Sequence, residues 1–286
     1  MYYTFFMNPK LFLCASLLVV LSFAANAQSI TLATFNIRYA NPADTGNLWV
    51  NRAPVVSNLI RFHDFDIFGT QEGLKNQLDD ISNTLPQYSR YGIGRTDGKE
   101  AGEFSAIYYK KDKYKLLQSG DFWLSQTPDK PSLGWDATCC NRICSWVYLQ
   151  ELPTGKKFYV FNTHFDHQGK IARVESSKLI VRKIKEIAGS NPVLLTGDFN
   201  GDHNSEWYKT LANSEILNDA YSLVKYPYAS NSSTNAFGKQ LSGNHIIDHI
   251  FVSKEFSAEK WGILTDTYHG KFPSDHFPVM SVIKWK

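Results

Sequence analysis

Apolar positions along this chain change their period several times, and the changes mark out its elements. From Ile30 to Ile37, β-branched and apolar residues alternate loosely, which predicts a strand. From Trp49 to Phe62, Val55, Val56, Leu59, Ile60 and Phe62 recur at helical spacing. A short strand over Asp66–Thr70 and a helix over Leu74–Leu85, stopped by Pro86, are expected next. Between Tyr88 and Phe161 the helical period disappears. Tyr88–Ile93, Phe104–Tyr109, Tyr114–Leu124, Ile143–Leu152 and Lys157–Phe161 are short runs divided by turn residues, and several read as sequential antiparallel partners. The stretch Asp121–Asp136 is too long and Pro-marked for a tight turn, so it reads as a surface loop bearing aromatic groups.

Helical spacing returns from Ala172 to Ile187, with Lys and Arg along the opposite, solvated face. Pro192–Leu195 reads as a buried strand closed by Gly197, and a short helix is expected around Trp207–Leu211. Tyr226–Ser242 is a polar loop rich in Ser and Asn. Ile246–Val252, Trp261–Leu264 and Phe277–Ile283 are strand-like. The order βαβα, strands, βαβα, strands predicts an α+β fold: a four-layer α/β/β/α sandwich of two packed mixed sheets with outer helices.

Three features of composition refine this picture. Leu11–Ala24 is a continuous apolar run between Lys10 and Ala25-Asn26-Ala27, the layout of a secretory signal over residues 1–27. It is short for a membrane span, so a secreted or periplasmic protein without a stable membrane anchor is expected. Loss of that leader removes one base and no acid, leaving a formal charge of +2 against +3 for the whole chain. Such a balance predicts no strong non-specific grip on nucleic acid. Cys139, Cys140 and Cys144 would remain. Adjacent Cys139 and Cys140 are expected not to bond each other, either pairing instead with Cys144 across a bend, and a zinc site is the alternative.

The candidate chemistry stands where strands end. Leu194-Leu195-Thr196-Gly197-Asp198-Phe199-Asn200 sets an acid and an amide two residues apart as a buried strand opens onto the surface. If the backbone stays extended, Asp198 and Asn200 point to one side. Similar polar clusters end other strands at Asn36, Glu72, His164, Asp248 and Asp275-His276. Glu72 is a hard oxygen ligand suited to magnesium or manganese. Together these read as one hydrolytic, metal-assisted constellation.

The motifs Asn36, Gln71-Glu72, Asn162-Thr163-His164, Gly197-Asp198-Phe199-Asn200, Ile247-Asp248-His249-Ile250-Phe251 and Ser274-Asp275-His276-Phe277-Pro278-Val279 occur in an order that resembles the endonuclease/exonuclease/phosphatase superfamily. The resemblance runs from about Ile30 to Val282 and implies a catalytic domain over residues 28–286, acting as a monomer. It implies Glu72 as ligand of Mg2+ (or Mn2+), supported by Asn36, with Asp275 beside the metal. Asp198 would orient or deprotonate the attacking water, and Asn200 would fix a phosphate oxygen. His276 would be held by Asp248, and His164 would contact the phosphoryl group. Asn36 would also support the phosphate.

Arg142 reads either as an additional phosphate clamp or as a surface residue packing on Trp146. Where apurinic endonucleases place an acid two residues after the first Asn, this chain has Arg38. The resemblance is nearest the deadenylase-like 3′–5′ exonuclease branch. A secreted metal-dependent phosphodiesterase on RNA or DNA is therefore the first expectation, with Trp123 and Trp135 available to stack a base. A phosphatase or phospholipase C-type enzyme on inositol phosphates or sphingomyelin-like head groups is the alternative. A binding module without catalysis is a third, set against the presence of Glu72, Asp198 and His276.

Overall fold

The computed structural model describes residues 1–2, 29–228 and 231–286. The leader expected over residues 1–27 thus lies outside the described residues, except for Met1 and Tyr2. Two six-stranded mixed sheets make up the body. The first contains β1 (Ser29–Asn36), β2 (Ile67–Gln71), β3 (Tyr88–Tyr91), β4 (Ile107–Lys110), β11 (Phe256–Ile263) and β12 (Val279–Trp285), in the order β11-β12-β1-β2-β4-β3. The second contains β5 (Tyr114–Trp123), β6 (Ile143–Glu151), β7 (Lys157–His164), β8 (Val193–Asp198), β9 (Asn218–Asp219) and β10 (Asp248–Val252), in the order β5-β6-β7-β8-β10-β9.

Each sheet carries one parallel pair at its centre, because each is built around one βαβ unit. Helix α1 (Trp49–Phe62) joins β1 to β2, and α3 (Lys170–Ala188) joins β7 to β8. Parallel pairing sets strand ends side by side: Asn36 stands opposite Gln71, and His164 opposite Asp198. The two βαβ units therefore deliver their chemistry to one edge of the sandwich.

Alternation along the strands divides the apolar residues between layers. Leu32, Ile67, Val160 and Leu194 face inward, where Ile107, Leu149, Phe158 and Ile250 join them between the sheets. Phe35 and Phe68 face outward onto α1 and α2 (Lys75–Thr84), through Val56, Ile60, Leu78 and Ile81. Phe161, Leu195 and Phe251 do the same in the second sheet, against Leu179, Ile180 and Ile184 of α3 and Leu211 of α4 (Glu206–Ala212). These are the four layers expected.

Toward the strand ends the apolar filling gives way to a buried polar knot. Asn162 donates through Nδ2 to the carbonyls of Thr70 (2.9 Å) and Ala106 (3.0 Å), across the gap between sheets. Its Oδ1 accepts from Gln71 Nε2 (2.7 Å) and Thr196 Oγ1 (3.1 Å), and Gln71 also reaches Thr34 Oγ1 (3.0 Å). Gly69 makes room for it, since a Cβ there would lie 2.4 Å from Asn162 Oδ1.

The strands between Tyr88 and Phe161 pair in sequence and antiparallel, as expected, β3 with β4 in the first sheet and β5 to β7 in the second. Two expectations are corrected. Phe122 and Trp123 belong to β5, and Trp123 is buried with its Nε1 donating to Arg95 O (2.8 Å), which withdraws it as a platform for a base. Asp136, in the loop as expected, accepts from Ile171 and Ala172 N and so caps the start of α3 from outside. Cys139 and Cys140 are bonded to each other, while Cys144 is free, because β6 turns it into the core beneath α3. The short β9 and α5 (Ala220–Leu223) were not expected.

Gly69→Ala should destabilise the fold by about 1–3 kcal/mol, the range for overpacking a filled interior, in urea unfolding. An unchanged midpoint would show that the knot yields freely.

Candidate active site

Asn36, at the end of β1, ties the edge together. Its Nδ2 donates to Glu72 Oε1 and to Asp198 Oδ2, both at 3.0 Å, and so links the two sheets. Its Oδ1 accepts from Arg38 N (3.0 Å). The other Glu72 oxygen accepts from Tyr39 N (3.2 Å).

Asp198 ends β8 with Asp248 directly opposite on the antiparallel β10. His276 lies between them and the solvent, its Nδ1 3.0 Å from Asp248 Oδ2 and its Nε2 3.8 Å from Asp198 Oδ2. Burial drives the His276 pKa down, but Asp248 overrides it and holds the ring well above the ordinary imidazole value. Burial pushes Asp198 up to about 7, with Asp248 adding to the push and His276 opposing it. His164, at the end of β7, is the opposite case. Burial, with Arg142 and Arg95 nearby, holds it well below the ordinary value, so the ring stays neutral. Its Nε2 accepts from Asn200 Nδ2 (3.2 Å), and its buried Nδ1 has no partner.

Asn200 is not extended. Its φ is +47°, and Asp198 Oδ1 accepts from its N–H (2.9 Å), an Asx-type turn that swings the amide back to His164 and Phe165 O. Arg38 (φ +55°) and Glu72 (φ +63°) also occupy the left-handed region. Three such non-glycine residues beside one cleft are strained backbone of the kind that collects at functional sites.

Glu72 and Asp275 are hard oxygen donors of the type Mg2+ takes. Each Glu72 oxygen accepts one hydrogen bond, which leaves lone pairs open to the cleft. Arg38 sits between the two acids, 3.8 Å from Glu72 and 3.7 Å from Asp275, anchored by two bonds to Asp44. One divalent ion beside Glu72 fits this donor set. The guanidinium supplies positive charge between the two carboxylates.

A cavity of about 430 Å³ opens here, lined by Glu72, Asp198, Asn200, His164 and His276. Asn36 and Asp248 stand behind these residues and orient Glu72, Asp198 and His276. Arg142 lines the same cavity and is buried, held by Asp166 (3.4 Å) and donating to His167 Nδ1 (2.8 Å). It is therefore not a residue of the surface. Its Nη1 is buried without a partner.

Sequence reasoning did not place Arg38, Tyr39, Arg95, Glu103 or His167 at the site, yet all line the cavity. Arg95 and Glu103 pair at 2.7 Å, and burial, opposed by Arg95, pushes the Glu103 carboxyl up to about 7. The two glycines flanking the Arg95 turn were the available signal: Gly94 closes against Ala101 O, and Gly98 takes φ +71°.

The sequence profile described as the Endonuclease/Exonuclease/phosphatase family matches residues 33–276. A solved structure of a Bacteroides thetaiotaomicron mannosyl-6-phosphatase is 45% identical, with a TM-score of 0.87, covering 90% of this chain and all of that one. An uncharacterized protein of Acanthamoeba polyphaga mimivirus is 27% identical over 256 residues, 82% of this chain and 92% of its own. The human nocturnin catalytic domain, 19% identical with a TM-score of 0.70 over 90% of this chain and 94% of its own, shares the fold.

The His276–Asp248 contact predicts that His276→Ala and Asp248→Asn each remove most turnover and leave thermal stability little changed. The double variant should be scarcely slower than either single one, because the pair acts as a unit. Multiplying losses in steady-state kinetics would separate the two residues.

Proposed function

Because the chain belongs to the endonuclease/exonuclease/phosphatase family, whose members are hydrolases, we propose that it removes a phosphate monoester from a small sugar. The observation that carries this reading is the pair of unpartnered buried nitrogens, Arg142 Nη1 and His164 Nδ1, in a cavity also lined by Arg38 and Arg95. A buried donor without a partner costs roughly 1–3 kcal/mol, and a phosphoryl oxygen would satisfy each one. The cavity volume of about 430 Å³ suits one phosphorylated sugar. The relative named mannosyl-6-phosphatase supports the same substrate class. An export leader over residues 1–27 would bring the enzyme to glycans outside the cytoplasm.

The residues divide the work. His276, held as imidazolium by Asp248, donates toward a phosphoryl oxygen and stabilises the charge gathering there. Asp198 orients the attacking water and takes its proton, a task suited to a base poised near 7. Asn36 fixes Asp198 relative to Glu72, and Arg142 holds the phosphate from the far wall. A divalent ion held by Glu72, with Asp275 nearby, would supply Lewis-acid polarisation when bound. A nuclease acting on RNA or DNA ends is the second reading, supported by the endonucleases and exonucleases for which the family is named.

Hexose 6-phosphates should be hydrolysed well, and a simple diester at least about tenfold less efficiently, in a phosphate-release panel with Mg2+ that includes single-stranded RNA. A clear preference for RNA would reverse the order of the two readings. Glu72→Gln should raise the Mg2+ concentration needed for half activity, and excess chelator should abolish turnover. Since Asp198 works as the anion, kcat/KM should fall as pH drops through about 7. A profile flat across that range would remove Asp198 as the base.

A further inference from the structure

His249 follows Asp248 on β10 and so points to the opposite face of the sheet, away from the cleft. There it meets Asp219, at the end of β9, and His203, from the loop between β8 and α4. His203 Nε2 lies 3.3 Å from Asp219 Oδ2, and His249 Nδ1 lies 3.7 Å from the same oxygen. All three donor atoms fall within 4.8 Å of one another. A tetrahedral ion with bonds of about 2.0–2.1 Å sets its donors about 3.3–3.4 Å apart, so the two His–Asp separations are close to coordinating distance.

The hydrogen bonds around the trio leave a lone pair of His249 facing the Asp219 carboxylate. His249 Nε2 donates to Gly201 O (2.9 Å), so in the neutral ring Nδ1 carries the lone pair, turned toward a carboxylate. His203 Nε2 is buried beside the same carboxylate without a well-formed hydrogen bond. Outer contacts already steady the set: Tyr208 Oη donates to Asp219 Oδ2 (2.8 Å), and Tyr221 N donates to Oδ1 (3.0 Å). Carbonyls and hydroxyls in such positions are what orient metal ligands elsewhere.

We propose that His203, Asp219 and His249 bind a zinc ion at a site separate from the cleft. Two imidazoles and one carboxylate suit a borderline ion such as Zn2+ and disfavour Mg2+. His203 is partly exposed, which gives the ion a way in. The ion would brace the loop that follows Asn200, since the same His249 holds Gly201 through its other nitrogen.

The test is a titration of the metal-stripped chain with zinc chloride in saturating Mg2+, read against a chromophoric chelator. Co2+ in a parallel sample serves as an optical probe. One Zn2+ per chain and the visible bands of four-coordinate Co2+ are expected. His203→Ala should weaken zinc binding at least about tenfold, while its metal-free form unfolds at the wild-type temperature. His276→Ala should leave zinc binding unchanged. No zinc uptake, uptake indifferent to His203→Ala, or uptake lost only in His276→Ala would each overturn the proposal. His249→Gln, which keeps a side chain able to reach Gly201, covers the case in which His203→Ala does not fold.

Discussion

Asn162 is the joint on which this architecture depends. A sandwich of two sheets is free to slide or splay at its ends, because apolar contacts between them have little direction. Four hydrogen bonds from one buried amide, two given to the first sheet's backbone region and two received, have direction and no water to replace them. They lie just beneath the strand ends that carry Asn36, Glu72, His164 and Asp198. The separation of those residues, drawn from both sheets, follows from that joint and from the absence of a side chain at Gly69.

Much of this was legible in the chain. Helix α1 was expected over Trp49–Phe62 and is found there, because a single apolar stripe and local spacing determine it. The strand-end clusters were legible because parallel βαβ units place their carboxyl ends together by construction. What stayed hidden depends on distant partners. Nothing near Asp136 announces that it caps α3, and nothing near Trp123 says that Arg95 O will receive its indole. The turn at Asn200 and the bond between Cys139 and Cys140 likewise depend on local backbone that composition does not reveal.

Charge is distributed with similar economy. Arg38 stands two residues after Asn36 and answers Glu72, Asp275 and Asp44 together. Hydrogen bonding to Asp44 raises its pKa, so its charge is permanent over any working pH. A fixed guanidinium, unlike a bound ion, does not exchange with the medium.

The left-handed backbone at Arg38, Glu72 and Asn200 has an evolutionary consequence. Glycine would relieve the backbone strain at each of these positions, yet it would erase the side chain for which the turn exists. Selection for sturdiness and selection for turnover therefore pull in opposite directions at the same three codons. The ancestry of this chain should show its stabilising changes everywhere except there.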